Sequence, residues 1–152
     1  YLKKMELGDF LQKNNIRHTF MEHDDTSTSR IAAAAAGISL HDIVKSILFK
    51  TDNGFVLVLI RADCNVDWKK LGKLTNSKKA RLATPDEVLD VTGYPVGAVP
   101  PIGLKDKVKT FIDKGVTMNE AWAGGGATNR LVRLSVADIR EYSRAETVEV
   151  SS

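Results

Sequence analysis

Lys45 is the charged residue that fits its surroundings least. It lies within Ile43-Val-Lys-Ser-Ile-Leu-Phe49, an apolar run of strand length, and shares strand parity with Ile43, Ile47 and Phe49. Burying an ammonium is costly unless its charge is paired or its pKa falls. Such a lysine either snorkels to water from the start of a strand or serves a site that needs a cation. A second stretch, Val91-Thr-Gly-Tyr-Pro-Val-Gly-Ala-Val-Pro-Pro-Ile-Gly103, has no charged side chain, and Thr92 and Tyr94 carry its only hydroxyls. Proline fixes φ and removes a donor, whereas glycine lets other groups approach the backbone. A stiff loop from Gly97 to Pro101 can therefore offer peptide groups, rather than side chains, to an oxyanion, a carbonyl or a phosphate. The plainer alternative is a run of ordinary turns.

The familiar catalytic sets are missing. His18, His23 and His41 lack metal-like spacing and accompany a single cysteine, Cys64, so a zinc site is not expected. There is no G-x-S-x-G elbow and no evident Ser-His-Asp constellation. Gly124-Gly-Gly126 lacks the Lys-Ser/Thr of a phosphate-binding loop and does not complete G-x-G-x-x-G. Cys64 reads as a small hydrophobe rather than a nucleophile. A hydrolase built on this chain would have no conventional side-chain nucleophile.

These residues need a frame. Leu2, Met5, Leu7, Phe10 and Leu11 recur at helical spacing, so the first dozen residues are expected to form an amphipathic helix. Ile16 to Met21 alternates like a strand, and the Thr26-Ser-Thr-Ser29 hydroxyls can cap a second helix. That helix carries the run Ala32 to Ala36, which allows close packing on a sheet, and Gly37 stops it. Asp52-Asn-Gly54 joins two apolar runs, Ile43 to Phe49 and Phe55 to Ile60, into a hairpin. Asp67 can cap a helix with Trp68, Leu71 and Leu74, and Pro85-Asp-Glu87 opens another that ends near Gly93. Val108 to Ile112, Met118 to Trp122, Leu131 to Leu134 and Thr147 to Val150 are further strands, with a helix capped by Ser135 before the last. The order predicts one α/β (α+β) domain over residues 1–152, with a mixed, partly antiparallel central sheet flanked by short helices.

The chain has 152 residues, 43% hydrophobic and 27% charged, which suits one globular domain. No apolar run approaches the roughly 20 residues that span a bilayer. The start, Tyr-Leu-Lys-Lys, lacks a secretory signal's apolar stretch, and a lone cysteine fits a reducing cytoplasm. Twenty-two Lys and Arg against 19 Asp and Glu leave a net charge of +3. Lys69, Lys70, Lys73, Lys78, Lys79 and Arg81 are clustered, and Lys105, Lys107 and Lys109 follow the Gly/Pro loop. Such clusters can contact a polyanion such as RNA, or form a solvated face balanced by Asp63, Asp67, Asp86 and Glu87.

Several segments occur together in one order: Glu22-His-Asp24, the Thr28-to-Gly37 helix, Val44-Lys-Ser-Ile-Leu48, Thr92-Gly-Tyr-Pro-Val-Gly97, Pro101-Ile-Gly103 and Gly124-Gly125. This pattern resembles the YbaK/ProX family of aminoacyl-tRNA deacylases, related to the editing domain inserted in bacterial prolyl-tRNA synthetases. The resemblance implies hydrolysis of the ester joining a wrong amino acid to the 3′ end of tRNA. It makes Lys45 the lysine that holds the terminal nucleotide or its phosphate. It makes Gly97, Ala98, Val99, Pro100 and Pro101 the loop that orients the ester carbonyl and the attacking water, with Thr28, Ile102, Gly103, Gly124 and Gly125 binding substrate. It further implies no metal, no cofactor and no covalent intermediate, with the substrate's ribose hydroxyl assisting the water. The implied partners are mischarged aminoacyl-tRNA and an aminoacyl-tRNA synthetase, with neither membrane nor DNA.

Pro100 and Pro101 donate no N–H, so the loop's donors must come from Ala98, Val99, Ile102 or a neighbour. Relatives often carry Ser before the late glycines, where this chain has Ala123, so specificity is expected to differ if that serine touches substrate. Core packing is the expectation for Trp122. A non-catalytic tRNA- or synthetase-binding module and a small-molecule esterase remain the alternatives to a deacylase.

Overall fold

The Asp52-Asn-Gly54 turn organises the fold. β2 (Val44–Thr51) and β3 (Gly54–Arg61) pair antiparallel along their full length, from Val44 with Arg61 to Thr51 with Gly54. Gly54 has φ +113°, a conformation that the turn requires and that other residues rarely adopt. A computed structural model of the chain describes residues 5–24 and 29–152. Within it, the β2–β3 hairpin is the centre of a five-stranded mixed sheet ordered β4-β2-β3-β5-β8. β4 (Arg81–Leu82) runs antiparallel to β2, whereas β5 (Lys109–Asp113) is parallel to β3 and β8 (Glu146–Val148) is parallel to β5.

The expected single central sheet is in fact two. β1 (Thr19–Glu22), β7 (Arg130–Ser135) and β6 (Glu120–Gly124) form a separate antiparallel sheet ordered β1-β7-β6. A parallel bridge between Ile43 and Trp122 joins it to the start of β2. The mixed, partly antiparallel α/β architecture stands, but β5 and β6, consecutive in sequence, belong to different sheets.

Strand parity sorts the side chains into two cores. Val44 and Leu48, with Leu57 and Leu59, face the larger core, which also takes Leu7 and Leu11 of α1 (Leu7–Lys13), Val88 and Val91 of α4 (Pro85–Thr92) and Ile139 of α5 (Val136–Ser143). Ile47 and Phe49, with Val56, Val58 and Ile60, face a smaller core closed by Leu71 of α3 (Trp68–Thr75). Burial of apolar side chains on both faces of β2 and β3 explains why these strands read as continuous apolar runs instead of alternating.

α2 (Ser29–Ala35) ends before Gly37, which has φ +75°. Ala33 is buried, but Ala34, Ala35 and Ala36 are exposed. Close packing of the whole alanine run is therefore not observed, because a helix directs only one stripe of its surface inward. The hydroxyls Thr26 to Thr28, proposed to cap this helix, lie outside the described residues.

The sequence signals at the two middle helices act as expected. Asp67 caps α3, its Oδ1 accepting the N–H groups of Lys69 (2.9 Å) and Lys70 (3.1 Å). α4 opens with a capping box: Thr84 Oγ1 accepts from the Glu87 N–H at 3.2 Å, and Glu87 Oε1 accepts from the Thr84 N–H at 2.8 Å. Arg81 grips the same carboxylate with two bonds of 2.7 and 3.0 Å. Its hydrogen bonds, with those of the Thr84 backbone, hold the Glu87 carboxyl at about 2, against an ordinary 4.5.

That depression sets a sign for acid stability. The contribution of Glu87 is fully present above pH 4.5 and is lost as pH falls toward 2, because the unfolded chain takes up the proton first. The melting temperature of the wild type is expected to fall through this window. Arg81→Met should start lower and fall less, so the two curves converge in acid. A constant gap between them from pH 6 down to about 2 would contradict the assignment.

Candidate active site

α4 delivers the chain into the Gly/Pro loop through a buried staple. The fully buried Thr92 hydroxyl donates to the Val88 carbonyl at 2.7 Å and accepts the Tyr94 N–H at 3.1 Å. Gly93 caps the helix at φ +82°. On the far side, the N–H groups of Lys105 and Asp106 donate to the carbonyls of Thr92 (2.9 Å) and Val91 (3.1 Å). Residues 93–104 thus form a loop tied at its base, with the Tyr94 ring, 1% exposed, filling the interior. Burial pushes the Tyr94 phenol up to about 12, so it stays protonated at neutral pH and supplies no base.

The exposed part of the loop is one tight turn. The Ala98 N–H donates to the Pro95 carbonyl at 3.0 Å, and Gly97 occupies the third position at φ +89°. That is the geometry of a type II turn, which needs glycine there. Ala98 thereby drops out as a donor to substrate, since its N–H closes the turn; its carbonyl accepts from the Gly126 N–H at 2.9 Å. The N–H groups of Gly97 and Val99 meet no acceptor among the described residues. The Ala98 and Val99 side chains are buried and Gly97 has none, so the turn presents backbone at Gly97 beside the exposed side chains of Pro95 and Val96.

The late glycines bring a second strand end against this turn. A Cβ on Gly124 would lie 2.3 Å from the Val99 carbonyl oxygen, so only glycine permits the approach. Gly125 and Arg130 close a small loop: the Gly125 N–H donates to the Arg130 carbonyl (3.0 Å), and Arg130 Nε donates to the Gly125 carbonyl (2.7 Å). Arg130 also pairs with Glu6 at 2.8 Å, and its guanidinium lies 4.1 Å from the Phe20 ring centre. Burial works to raise the Glu6 carboxyl, but the Arg130 hydrogen bond, the Gly8 and Asp9 N–H groups and the Arg130 charge outweigh it and hold the group below its ordinary value. The pair pins α1 to the glycine turn.

Lys45 enters by strand register. β2 and β6 are neighbours, and a single parallel bridge sets Ile43 beside Trp122; carried two residues on, that register puts Lys45 level with Gly124. Side chains at matched positions of adjacent strands share a face. Val44 and Ala123 both face the larger core, which places Lys45 and Gly124 together on the opposite face. That is the direction in which Gly124 meets the Val99 carbonyl. Lys45 is half-buried, at the end of the smaller core and paired in register with Ile60.

A half-buried lysine, a glycine strand end and an exposed type II turn thus converge from three segments separated in sequence. The family model for the aminoacyl-tRNA editing domain matches residues 23–142. The chain belongs to this family. The editing domain is 40% identical over 129 residues to the proline–tRNA ligase of Bacillus licheniformis, covering 84% of this chain but 22% of that enzyme. It is 29% identical over 136 residues to the uncharacterized protein YwhH of Bacillus subtilis, covering 88% and 86% of the two chains. Its fold also matches a crystal structure described as a candidate trans-editing enzyme for prolyl-tRNA synthetase, with a TM-score of 0.81, 28% identity and coverage of 89% and 87%.

Not every residue expected at the site of this editing domain gathers there. Pro100, Pro101 and Ile102 are buried, and Gly103, at φ +76°, packs against Phe10 of α1. These residues anchor the loop from behind. Pro101, Ile102 and Gly103 also line a groove of about 710 Å³, together with Phe10 and Tyr142, that includes neither Lys45 nor Gly97. Thr28 lies outside the described residues. Ala123 is fully buried in the larger core, so its departure from the family serine faces away from Lys45 and Gly124. Trp122 is half-buried and belongs to neither core; Arg133 lies 5.6 Å from its ring, contrary to the core packing expected for it.

The turn gives a direct prediction. A Cβ on Gly97 would meet nothing within 4 Å, so Gly97→Val introduces no clash, yet it forces a branched residue to φ +89°. The expected cost is about 1–3 kcal/mol in chemical denaturation. An unchanged unfolding free energy would contradict the turn assignment.

Proposed function

We propose that this editing domain is a trans-acting deacylase that hydrolyses the ester of mischarged aminoacyl-tRNA. The observation that carries this reading is the exposed Pro95–Ala98 turn, with unengaged Gly97 and Val99 N–H groups, packed on Gly124 on the face that Lys45 shares. An aminoacyl ester is already activated, so positioning and oxyanion stabilisation can supply much of the acceleration. Water adds to the ester carbonyl carbon, the loop N–H groups receive the developing oxyanion, and the carbon–oxygen bond to the ribose breaks. The ribose oxygen leaves with a proton, giving free amino acid and tRNA. The neighbouring ribose hydroxyl orients and relays the proton of the water, in keeping with a buried, neutral Tyr94 that cannot act as a base. Lys45 holds the terminal nucleotide through its phosphate.

The likeness to proline–tRNA ligases, whose editing segment the chain matches over about a fifth of their length, favours tRNA charged by such a synthetase, with the synthetase as a partner. Incubating the protein with a panel of mischarged tRNAs tests the reading. Hydrolysis faster than the spontaneous rate on at least one is expected. Binding without accelerated hydrolysis on every substrate would replace the deacylase with a tRNA-binding module.

A further inference from the structure

α3 lies on the same face of the five-stranded sheet as Lys45. Lys45, Ile47 and Phe49 follow one another along one side of β2, and Trp68 of α3 packs edge-on against Phe49, ring centres 5.3 Å apart. The four steps from Lys45 to Phe49 span about 13 Å of strand. Lys69 and Lys73, four residues apart, lie along one exposed flank of α3. The Ser77 N–H donates to the Gly72 carbonyl at 2.9 Å and folds the chain back, so that exposed Lys78 follows at the end of the helix.

The neighbouring carboxylates are engaged elsewhere. Asp67 accepts backbone N–H groups as the helix cap, and Asp52 accepts the Lys78 N–H at 2.9 Å. Glu149 binds Lys70 and Lys114 at 3.2 and 2.9 Å, and Glu87 binds Arg81 at 2.7 Å. Among the described residues, the ammonium groups of Lys69, Lys73 and Lys78 form no ion pair. Three cations without an ion-pair partner on one surface repel one another and attract a polyanion.

We propose that Lys69, Lys73 and Lys78 bind the phosphodiester backbone of the tRNA whose 3′ end occupies the Lys45–Gly97 site. This assignment rests on the editing reading for its choice of RNA. It adds the surface that holds the body of the substrate while the turn handles the ester.

The test is fluorescence anisotropy of uncharged tRNA over a salt series with the wild type, the triple variant Lys69→Glu/Lys73→Glu/Lys78→Glu, its Gln counterpart, and Lys13→Glu. The Glu variant is expected to bind at least about tenfold more weakly at 0.1 M salt, and its salt dependence should be shallower by about two to three. The Gln variant should show the same direction even if charge reversal disturbs folding, and Lys13→Glu should be close to wild type. Unchanged tRNA affinity in the Gln variant, or an equal loss in Lys13→Glu, would overturn the surface. So would lysine-dependent binding to phosphatidylserine vesicles with tRNA binding intact. Because uncharged tRNA is the probe, loss of binding in a protein that hydrolyses no ester would sink the deacylase and leave this surface standing. Unaltered binding in one that hydrolyses esters would do the reverse.

Discussion

Lys45→Ala is expected to remove nearly all deacylation while leaving the protein folded. One charge-assisted contact to a phosphate contributes about 2–3 kcal/mol, which is roughly 30- to 150-fold in kcat/KM. The fold should tolerate the change, since Lys45 stands at the end of the smaller core and is half-exposed, unlike its neighbours Val44 and Leu48. The loss should sit in KM as well as kcat, because the contact orients the nucleotide before the ester reacts. Lys45→Arg keeps the charge but replaces a compact ammonium with a planar fork, and should recover only part of the rate. Single-turnover assays on mischarged tRNA, paired with thermal melts, give both quantities. Near-wild-type turnover in Lys45→Ala would remove it from the site.

Gly124→Ala should be nearly as damaging for a different reason. The added methyl would lie 2.3 Å from the Val99 oxygen, 2.9 Å from its carbonyl carbon and 3.2 Å from the Ala98 carbonyl carbon. Carbon atoms pack at about 3.5–4.0 Å, so the turn must retreat by about 1 Å. A displacement of that size at a reacting centre costs about 100-fold in rate. It also stretches the bond from the Gly126 N–H to the Ala98 carbonyl, now 2.9 Å. Stability should fall by about 1–3 kcal/mol, as for other overpacked sites. Wild-type kinetics in this variant would mean that the contact between the two loops does not set the catalytic geometry.

Most of the frame was legible because its signals are local. Asp52-Asn-Gly54, the Asp67 cap and the Pro85 helix start each act within a few residues, and each formed as expected; the Thr84–Glu87 capping box, equally local, went unread. The separation into two sheets was not legible, since the register joining Ile43 to Trp122 links positions far apart in the chain. The same limit hid the Glu6–Arg130 pair, whose partners are 124 residues apart and belong to no local motif. Within the Gly/Pro loop, composition indicated stiffness and exposed backbone. Which N–H groups remain available depends on the turn that Pro95 and Ala98 close and on the bond to Gly126. Those contacts removed Ala98 from the candidate donors, kept Val99 and brought in its neighbour Gly97.

In the proposed reaction, backbone groups and the substrate's own ribose hydroxyl, rather than a protein base, promote hydrolysis of the ester. The most direct measurement is single-turnover hydrolysis of mischarged tRNA esterified at the 3′ position, compared with the same tRNA lacking the terminal 2′-hydroxyl. Acceleration over the spontaneous rate is expected for the natural form, with a fall of about 100-fold or more for the deoxy form and tRNA affinity unchanged. Equal acceleration of both forms would contradict it and point to a protein group that activates the water.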